Sequence, residues 1–262
     1  MDINQFIEDA TIVANDQVTH DTYEMILESP KIAATTKPGQ FVMFTCSPVG
    51  TDPLLRRPLS VHYTKDDKVS LLYKVVGKGT ELMRQMPIGT KASMLGPLGT
   101  GFKVAETENH ILVGGGIGMA PLLHLSPMIQ AQSKGKIHTL QGARSERDIL
   151  VMDRFEQYGD THISTDDGSA GVHGFVTEIL QNIDIEDAAI YCCGPTPMMK
   201  AVAKIARQRN WYCQVSLEIE MACGMGACLG CAIPRLGVDE GVEKYLTVCK
   251  DGPALNAEEI WL

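Results

Sequence analysis

Cys223, Cys228, Cys231 and Cys249 hold half of the chain's eight cysteines, in M-A-C-G-M-G-A-C-L-G-C followed at a distance by V-C-K-D-G-P. The first three follow C-x4-C-x2-C spacing, with Gly224, Gly226 and Gly230 between and beside them. Four thiolates so close in sequence constrain the tail to a loop that brings their sulfurs together. The glycines let backbone N–H groups turn toward those sulfurs and offset their negative charge. This spacing is the one used by plant-type [2Fe–2S] centres. Four cysteines also suit Zn²⁺, but zinc sites usually pair them as two short knuckles, whereas Cys249 arrives alone. The spacing therefore favours a [2Fe–2S] cluster, which moves one electron at a time.

The rest of the chain has two other patterns. Up to about residue 103, short apolar runs recur between Pro- and Gly-containing turns: Thr11–Val13, Thr22–Leu27, Phe41–Thr45, Leu59–Tyr63, Val69–Val75 and Ala92–Leu95. With no long helix among them, they predict a small antiparallel β-barrel. From His110 onward strands alternate with helices, which predicts a parallel sheet covered on both faces. The predicted strands are Ile111–Val113, Ile137–Gln141, Thr161–Ser164, Ala188–Cys192 and Tyr212–Leu217. The predicted helices are Leu122–Gln132, Arg147–Tyr158, Phe175–Gln181 and Thr196–Gln208. From Glu218 the Gly- and Cys-rich tail predicts little regular structure. The expected organisation is a barrel (1–103), an α/β domain (104–217) and a cluster domain (218–262).

A formal charge of -9 argues against a nucleic-acid surface. No run of about twenty apolar residues is present to span a membrane. The opening M-D-I-N-Q-F-I-E-D lacks the pattern of a secretory signal. Cysteines massed at one end do not form a disulfide framework, so a reducing cytoplasm is the expected compartment.

Three segments carry ligand chemistry. Gly114-Gly115-Gly116-Ile117-Gly118 leaves a strand and opens a helix, where bare backbone approaches an anion. It is not the G-x-G-x-x-G fingerprint, because the third glycine falls at Met119. Cys193-Gly194-Pro195 ends a second strand, with Thr196 as expected N-cap and Pro197 as first helical residue. Thr165 to Ser169 ends a third, where the polar side chains suit either a ligand or an ordinary loop. In the barrel, Arg57-Pro58-Leu59-Ser60 offers a guanidinium for a pyrophosphate. Lys74 and Gly77-Lys78-Gly79-Thr80 form a second, glycine-rich basic segment. Cys46, Cys192 and Cys213 lie in apolar strands and are expected to be core residues. The histidines show no ligand spacing.

Together, Arg57 to Ser60, Gly79-Thr80, the glycine run and Cys193-Gly194-Pro195 resemble the ferredoxin–NADP reductase superfamily. The tail, E-x-x-M-A-C-G-M-G-A-C-L-G-C from Glu218, resembles that of the electron-transfer subunits of class 1B dihydroorotate dehydrogenases, over essentially the whole chain. The resemblance implies FAD on the barrel, held by Arg57, Pro58, Leu59 and Ser60 and by Lys74, Gly79 and Thr80. It implies NAD(H) at Gly115, Gly116, Cys193 and Gly194, and a [2Fe–2S] cluster on Cys223, Cys228, Cys231 and Cys249. It further implies an FMN-containing catalytic partner subunit in a heterotetramer of two plus two chains, serving pyrimidine biosynthesis. The small FAD/[2Fe–2S] subunits of ferredoxin-dependent transhydrogenases and soluble hydrogenases share this domain order and are the alternative. Between NAD and NADP the loop Gly142 to Arg147 leaves the choice open: Arg144, Ser145 and Arg147 suit a 2′-phosphate, and Glu146 opposes it.

Overall fold

The computed structural model describes residues 5–47, 50, 52–260 and 262. Strands β1 (Phe6–Gln17), β2 (Thr22–Glu28), β3 (Phe41–Phe44), β4 (Arg57–Lys65), β5 (Lys68–Lys74) and β6 (Lys91–Leu98) close an antiparallel barrel in the order β1-β2-β5-β4-β3-β6. Alternation drives the closure: Ala10 and Ile12 of β1 and Ala92 and Met94 of β6 point inward with essentially no exposure. A two-residue turn joins β4 to β5, with Lys65 paired to Lys68 and Asp66 at φ 54, a backbone position that Asp tolerates better than most residues. Two short helices that the sequence pattern does not announce, α1 (Pro30–Thr35) and α2 (Lys78–Arg84), add Ile32 and Met83 to the barrel core.

The middle segment contains β7 (Asn109–Gly115), β8 (Lys136–Ala143), β9 (Asp160–Thr165), β10 (Val172–His173), β11 (Ala189–Cys193) and β12 (Tyr212–Ser216), with helices α3 (Leu125–Gln132), α4 (Met152–Phe155), α5 (Val176–Asn182) and α6 (Thr196–Gln208). Helix α6 has the range its sequence predicts, because Met199, Val202, Ala203, Ile205 and Ala206 form one buried stripe at helical period. Pro195, rather than Thr196, is its N-cap. Two predicted helices are shorter than expected. The turn after β7 is a 3₁₀ segment, Gly116–Met119, so α3 begins only at Leu125. Helix α4 spans four residues, because Val151 immediately before it adopts φ 44, which a β-branched residue resists and a continuous helix does not contain.

The tail is more ordered than its composition predicts. Strands β13 (Ala232–Pro234) and β14 (Tyr245–Thr247) form a ribbon, and β15 (Ala254–Asn256) joins the middle sheet antiparallel to β12. The sheet order is β10-β9-β8-β7-β11-β12-β15. Cys231, Val248 and Cys249 pack on Phe41, Met43 and Leu98 of the barrel. The opposite face of β3, Val42 and Phe44, lies in the barrel core. That strand is therefore covered on both faces, which explains its uninterrupted F-V-M-F composition. Among the described residues no helix is long and apolar enough to cross a membrane.

Barrel and α/β domain are joined by a buried polar seam. Arg154 of α4 donates to both Glu24 oxygens at 2.9 and 2.6 Å, and Ser70 donates to the same carboxylate at 2.6 Å. Nearby, His62 Nδ1 donates to the Ala120 carbonyl at 2.8 Å while its Nε2 has no partner. His124 bonds Thr64 at 3.3 Å through Nε2, leaving Nδ1 unpartnered. Burial pushes the pKa of each of these imidazoles down to about 4. Both are neutral when folded and bind protons readily when unfolded. Their contribution is therefore complete above pH 6.5 and is lost as the pH falls from there toward 4. Stability against denaturant should fall as the pH drops across that window, and His62→Gln with His124→Gln should flatten the dependence. An unchanged slope in the double variant would locate the acid sensitivity elsewhere.

Candidate functional site

Strand β7 is the pivot of the middle sheet: the chain proceeds outward through β8 and β9, then crosses back to β11 on the other side of β7. Ligands of open α/β sheets lie beyond the C-terminal ends of the strands at such a reversal. Here Cys193 pairs with Gly114 across that point, so the two glycine-containing turns are neighbours. Each glycine has its own physical reason. A Cβ on Gly114 would meet Met119 Sδ at 2.2 Å, one on Gly115 would meet Met198 and Pro195, and one on Gly118 would lie 2.2 Å from the Cys193 carbonyl. Gly116, at φ 52, has nothing within 4 Å of that position.

A cavity of about 710 Å³ opens over these turns. It runs from Gly115, Gly116 and Gly194 across Gly142 to Arg144 at the end of β8 and on to Asp166 after β9. The volume falls within the ordinary range of small-molecule and cofactor sites. Thr196 to Met198 and Phe175 form its outer wall, and Phe175 is 66% exposed. The barrel closes the cavity from the other side with Thr19, Asp21, Thr22 and Lys74. Glu218 completes it, and protein crowding around that carboxyl raises its pKa above the ordinary value. The site is thus an interdomain crevice.

The expected site residues divide. Gly115, Gly116 and Gly194 line the cavity together. Cys193 does not present its thiol there: the side chain is fully buried, and burial drives its pKa upward. Its backbone abuts Gly118. Lys74 lies in this crevice, its ammonium 2.7 Å from Asp21. Thr165 and Ser169 spend their hydroxyls internally, on Ala170 and Asp167 respectively, and Asp166 alone of that loop faces the cavity.

Arg57, Pro58, Leu59 and Ser60 are consecutive half-buried positions on β4, so this stretch of strand is only partly covered by protein. Gly79 at the start of α2 lies against Arg57: a Cβ there would be 3.1 Å from Arg57 Nε and 3.3 Å from Cys46 Sγ. Among the described residues Arg57 has no carboxylate partner and donates only to the Leu55 carbonyl, at 2.7 Å. The Thr80 hydroxyl accepts from Val76 and Gly77 N–H at 3.0 and 3.3 Å, and holds the turn. Leu54 and Val76 are 77% and 79% exposed beside this shelf. A half-buried guanidinium without a counter-ion, a close-approach glycine and exposed apolar side chains fit the pyrophosphate and rings of a flavin dinucleotide.

The cysteine loop packs on the outer face of β3, beside the strand that carries that shelf. A Cβ on Gly224 would strike Met43 at 2.4 Å, and Met43 pairs with Pro58 across the strands. The cysteine loop is therefore a neighbour of the strand bearing Arg57 to Ser60. The thiols fall into two pairs. Cys228 N–H donates to Cys223 Sγ at 3.4 Å, and Cys249 N–H donates to Cys231 Sγ at 3.4 Å. Gly226 N–H donates to Cys249 Sγ at 3.0 Å and Gly230 N–H to Cys228 Sγ at 3.5 Å. At Cys223, burial raises the thiol's pKa, but N–H groups of the loop outweigh it and bring the value down to about 6. Cys231 and Cys249 are buried and Cys228 is exposed, so one edge of the loop faces outward. Among the described residues no three His, Cys, Asp or Glu side chains are placed to hold a single metal ion. Four thiols in C-x4-C-x2-C spacing plus Cys249, ringed by N–H donors, suit a [2Fe–2S] cluster.

Asp21, Thr22, Phe175 and Glu218 belong to the crevice, yet the sequence reading did not select them. Glu218 carries a weak signal, since it opens the cysteine motif. The others are ordinary polar or apolar residues brought in by the domain packing.

Residues 218–261 match the model of the iron–sulfur cluster binding domain of dihydroorotate dehydrogenase B, and residues 112–204 match that of the oxidoreductase NAD-binding domain. The chain is 38% identical over 251 residues to the dihydroorotate dehydrogenase B (NAD(+)) electron transfer subunit of Caldanaerobacter subterraneus subsp. tengcongensis, covering 96% of this chain and 97% of that one. It is 38% identical over 257 residues to the corresponding subunit of Bacillus velezensis, covering 96% and 98%. Among solved structures it is similar to a chain of the NADH-dependent reduced ferredoxin-NADP oxidoreductase, with 30% identity and a TM-score of 0.85 over 97% of this chain and 90% of that one. The paired thiols beside the barrel, the interdomain crevice and this full-length likeness place the protein in one family: it belongs to the electron transfer subunits of dihydroorotate dehydrogenase B.

Proposed function

We propose that the chain takes electrons at its cysteine loop from an FMN-containing dihydroorotate dehydrogenase catalytic subunit and delivers them to NAD⁺ in the interdomain crevice, in pyrimidine biosynthesis. The observation that carries this reading is the shared strand β3. Its outer face supports Cys231 and Cys249, and its edge pairs with the strand bearing Arg57 to Ser60. Bound at these places, a [2Fe–2S] cluster supplies a one-electron carrier and FAD converts single electrons to the hydride pair that a nicotinamide accepts.

The protein's own residues do the holding. Cys223, Cys228, Cys231 and Cys249 ligate the cluster, and the loop N–H groups stabilise its sulfurs. Arg57 neutralises the FAD pyrophosphate, while Gly79 lets it approach and Pro58, Leu59, Ser60 and Thr80 shape the adjoining shelf. Lys74, held by Asp21, stands where flavin and nicotinamide sites meet. Gly115, Gly116 and Gly194 bring bare backbone to the NAD(H) phosphates. The exposed Cys228 edge faces the partner, in an assembly of two chains of each kind.

The test is paired. The isolated chain, loaded with FAD, should oxidise NADH with an artificial acceptor and leave dihydroorotate untouched. The purified complex with its catalytic subunit should reduce NAD⁺ with dihydroorotate. Dihydroorotate oxidation by the chain alone would overturn the division of labour, and a native complex that reduces ferredoxin but not orotate would assign the chain a different partner.

A further inference from the structure

By itself the loop Gly142 to Arg147 leaves the choice between NAD and NADP open. We propose that Asp148 and Asp166 are the specificity-determining residues of the crevice, accepting a ribose 2′-hydroxyl and repelling a 2′-phosphate. The inference rests on the reading that the crevice takes a nicotinamide dinucleotide.

With the pyrophosphate over the glycine turns at the ends of β7 and β11, the adenosine ribose falls toward the ends of β8 and β9, one to two strand spacings or about 5–10 Å away. That part of the cavity is lined by Arg144, Asp148 and Asp166. Of the three groups suited to a 2′-phosphate, Arg144 alone is among the lining residues. The Ser145 hydroxyl is already committed, donating to Asp148 Oδ2 at 2.8 Å. Glu146 lies outside the lining, its N–H bonded to Ser169 Oγ at 2.7 Å.

The charges near the ribose position favour the hydroxyl. Lys74 is matched by Asp21 at 2.7 Å, which leaves Arg144 against two carboxylates. His20 Nδ1 lies 3.8 Å from Asp148 Oδ1 and adds a positive charge only when protonated. A 2′-phosphate would enter a region already negative on balance, whereas a 2′-hydroxyl donates to a carboxylate, the usual recognition of the unphosphorylated ribose.

The experiment compares wild type with Asp148→Ser, Asp166→Ser and the double variant, each as the FAD-loaded complex. One readout is the ratio of kcat/KM for NADH over NADPH with ferricyanide. The other is calorimetric binding of AMP against 2′-phospho-AMP. Wild type should favour NADH and AMP. Each single substitution should shift both ratios toward the phosphorylated ligand by about tenfold, the size of discrimination set by one well-placed group. Because Asp148 also holds the Ser145 turn, Asp166→Ser decides the case if Asp148→Ser unfolds. Ratios unchanged in the folded variants would overturn the assignment. Wild type that oxidises neither nucleotide would instead refute the crevice as a nicotinamide site, so the two failures are distinguishable.

Discussion

Replacing Cys249 by serine should abolish the visible and paramagnetic signature of a [2Fe–2S] cluster and lower dihydroorotate-linked NAD⁺ reduction by more than about a hundredfold, beyond what loss of an outer-shell partner alone causes. The same substitution should also loosen FAD. Cys249 is 2% exposed and packs with Val248 and Cys231 on Met43, whose strand pairs with Pro58. Thr100 further ties the tail to the barrel, its hydroxyl donating to the Lys250 carbonyl at 3.0 Å. Cys228→Ser is the informative contrast. Its thiol lies on the exposed edge, so it should remove the cluster and the partner-linked activity while NADH oxidation by artificial acceptors and FAD content persist. Equal FAD loss in the two variants, measured by flavin release on gel filtration, would mean that the cluster itself, rather than the packing of Cys249, secures the barrel.

Gly118→Ala should cost more stability than any other alanine substitution in the glycine run, about 3 kcal/mol or more. Its Cβ would lie 2.2, 2.5 and 2.7 Å from the Cys193 carbonyl oxygen, the Cys193 carbonyl carbon and the Gly194 nitrogen. All three are backbone atoms of the neighbouring strand end and have no rotamer with which to yield. β7 and β11 would be forced apart where the crevice begins, and NADH oxidation should fall with the melting temperature. Gly116→Ala separates the two effects. That position meets no protein atom within 4 Å, so only the left-handed backbone costs, about 1–2 kcal/mol. The added methyl faces the cavity, and the expected result is a folded protein with a raised KM for NADH. If both variants melt alike and bind NADH alike, the glycines are serving turn geometry alone.

These glycines show where sequence reasoning reaches its limit. A run of small residues between strand and helix is legible as a place of close approach, but not what approaches. Gly114 accommodates Met119, Gly115 accommodates Met198 and Pro195, Gly118 accommodates the next strand, and only Gly116 stands open. The same holds for the barrel strand F-V-M-F, whose composition announces burial on both faces without naming the tail loop as the second cover. Helix α6 was legible to the residue because its period-3.6 stripe is local information. Helix α4 was not, because the left-handed Val151 is imposed by its surroundings. Cys193 read as a ligand-facing residue by position, and the sheet instead buries its thiol.

By itself the sequence determined what depends on neighbours along the chain: the six-strand and alternating patterns, the turn glycines, and thiols spaced for a two-iron cluster. The tertiary structure alone decided which of those features meet. It laid the cysteine loop on the outer face of the strand that pairs with Arg57 to Ser60. It brought Lys74 and Asp21 of the barrel into the crevice beside Gly115, Gly116 and Gly194 of the α/β domain. Those juxtapositions arise from burial and charge pairing between residues far apart in the chain, and local periodicity carries no record of such contacts.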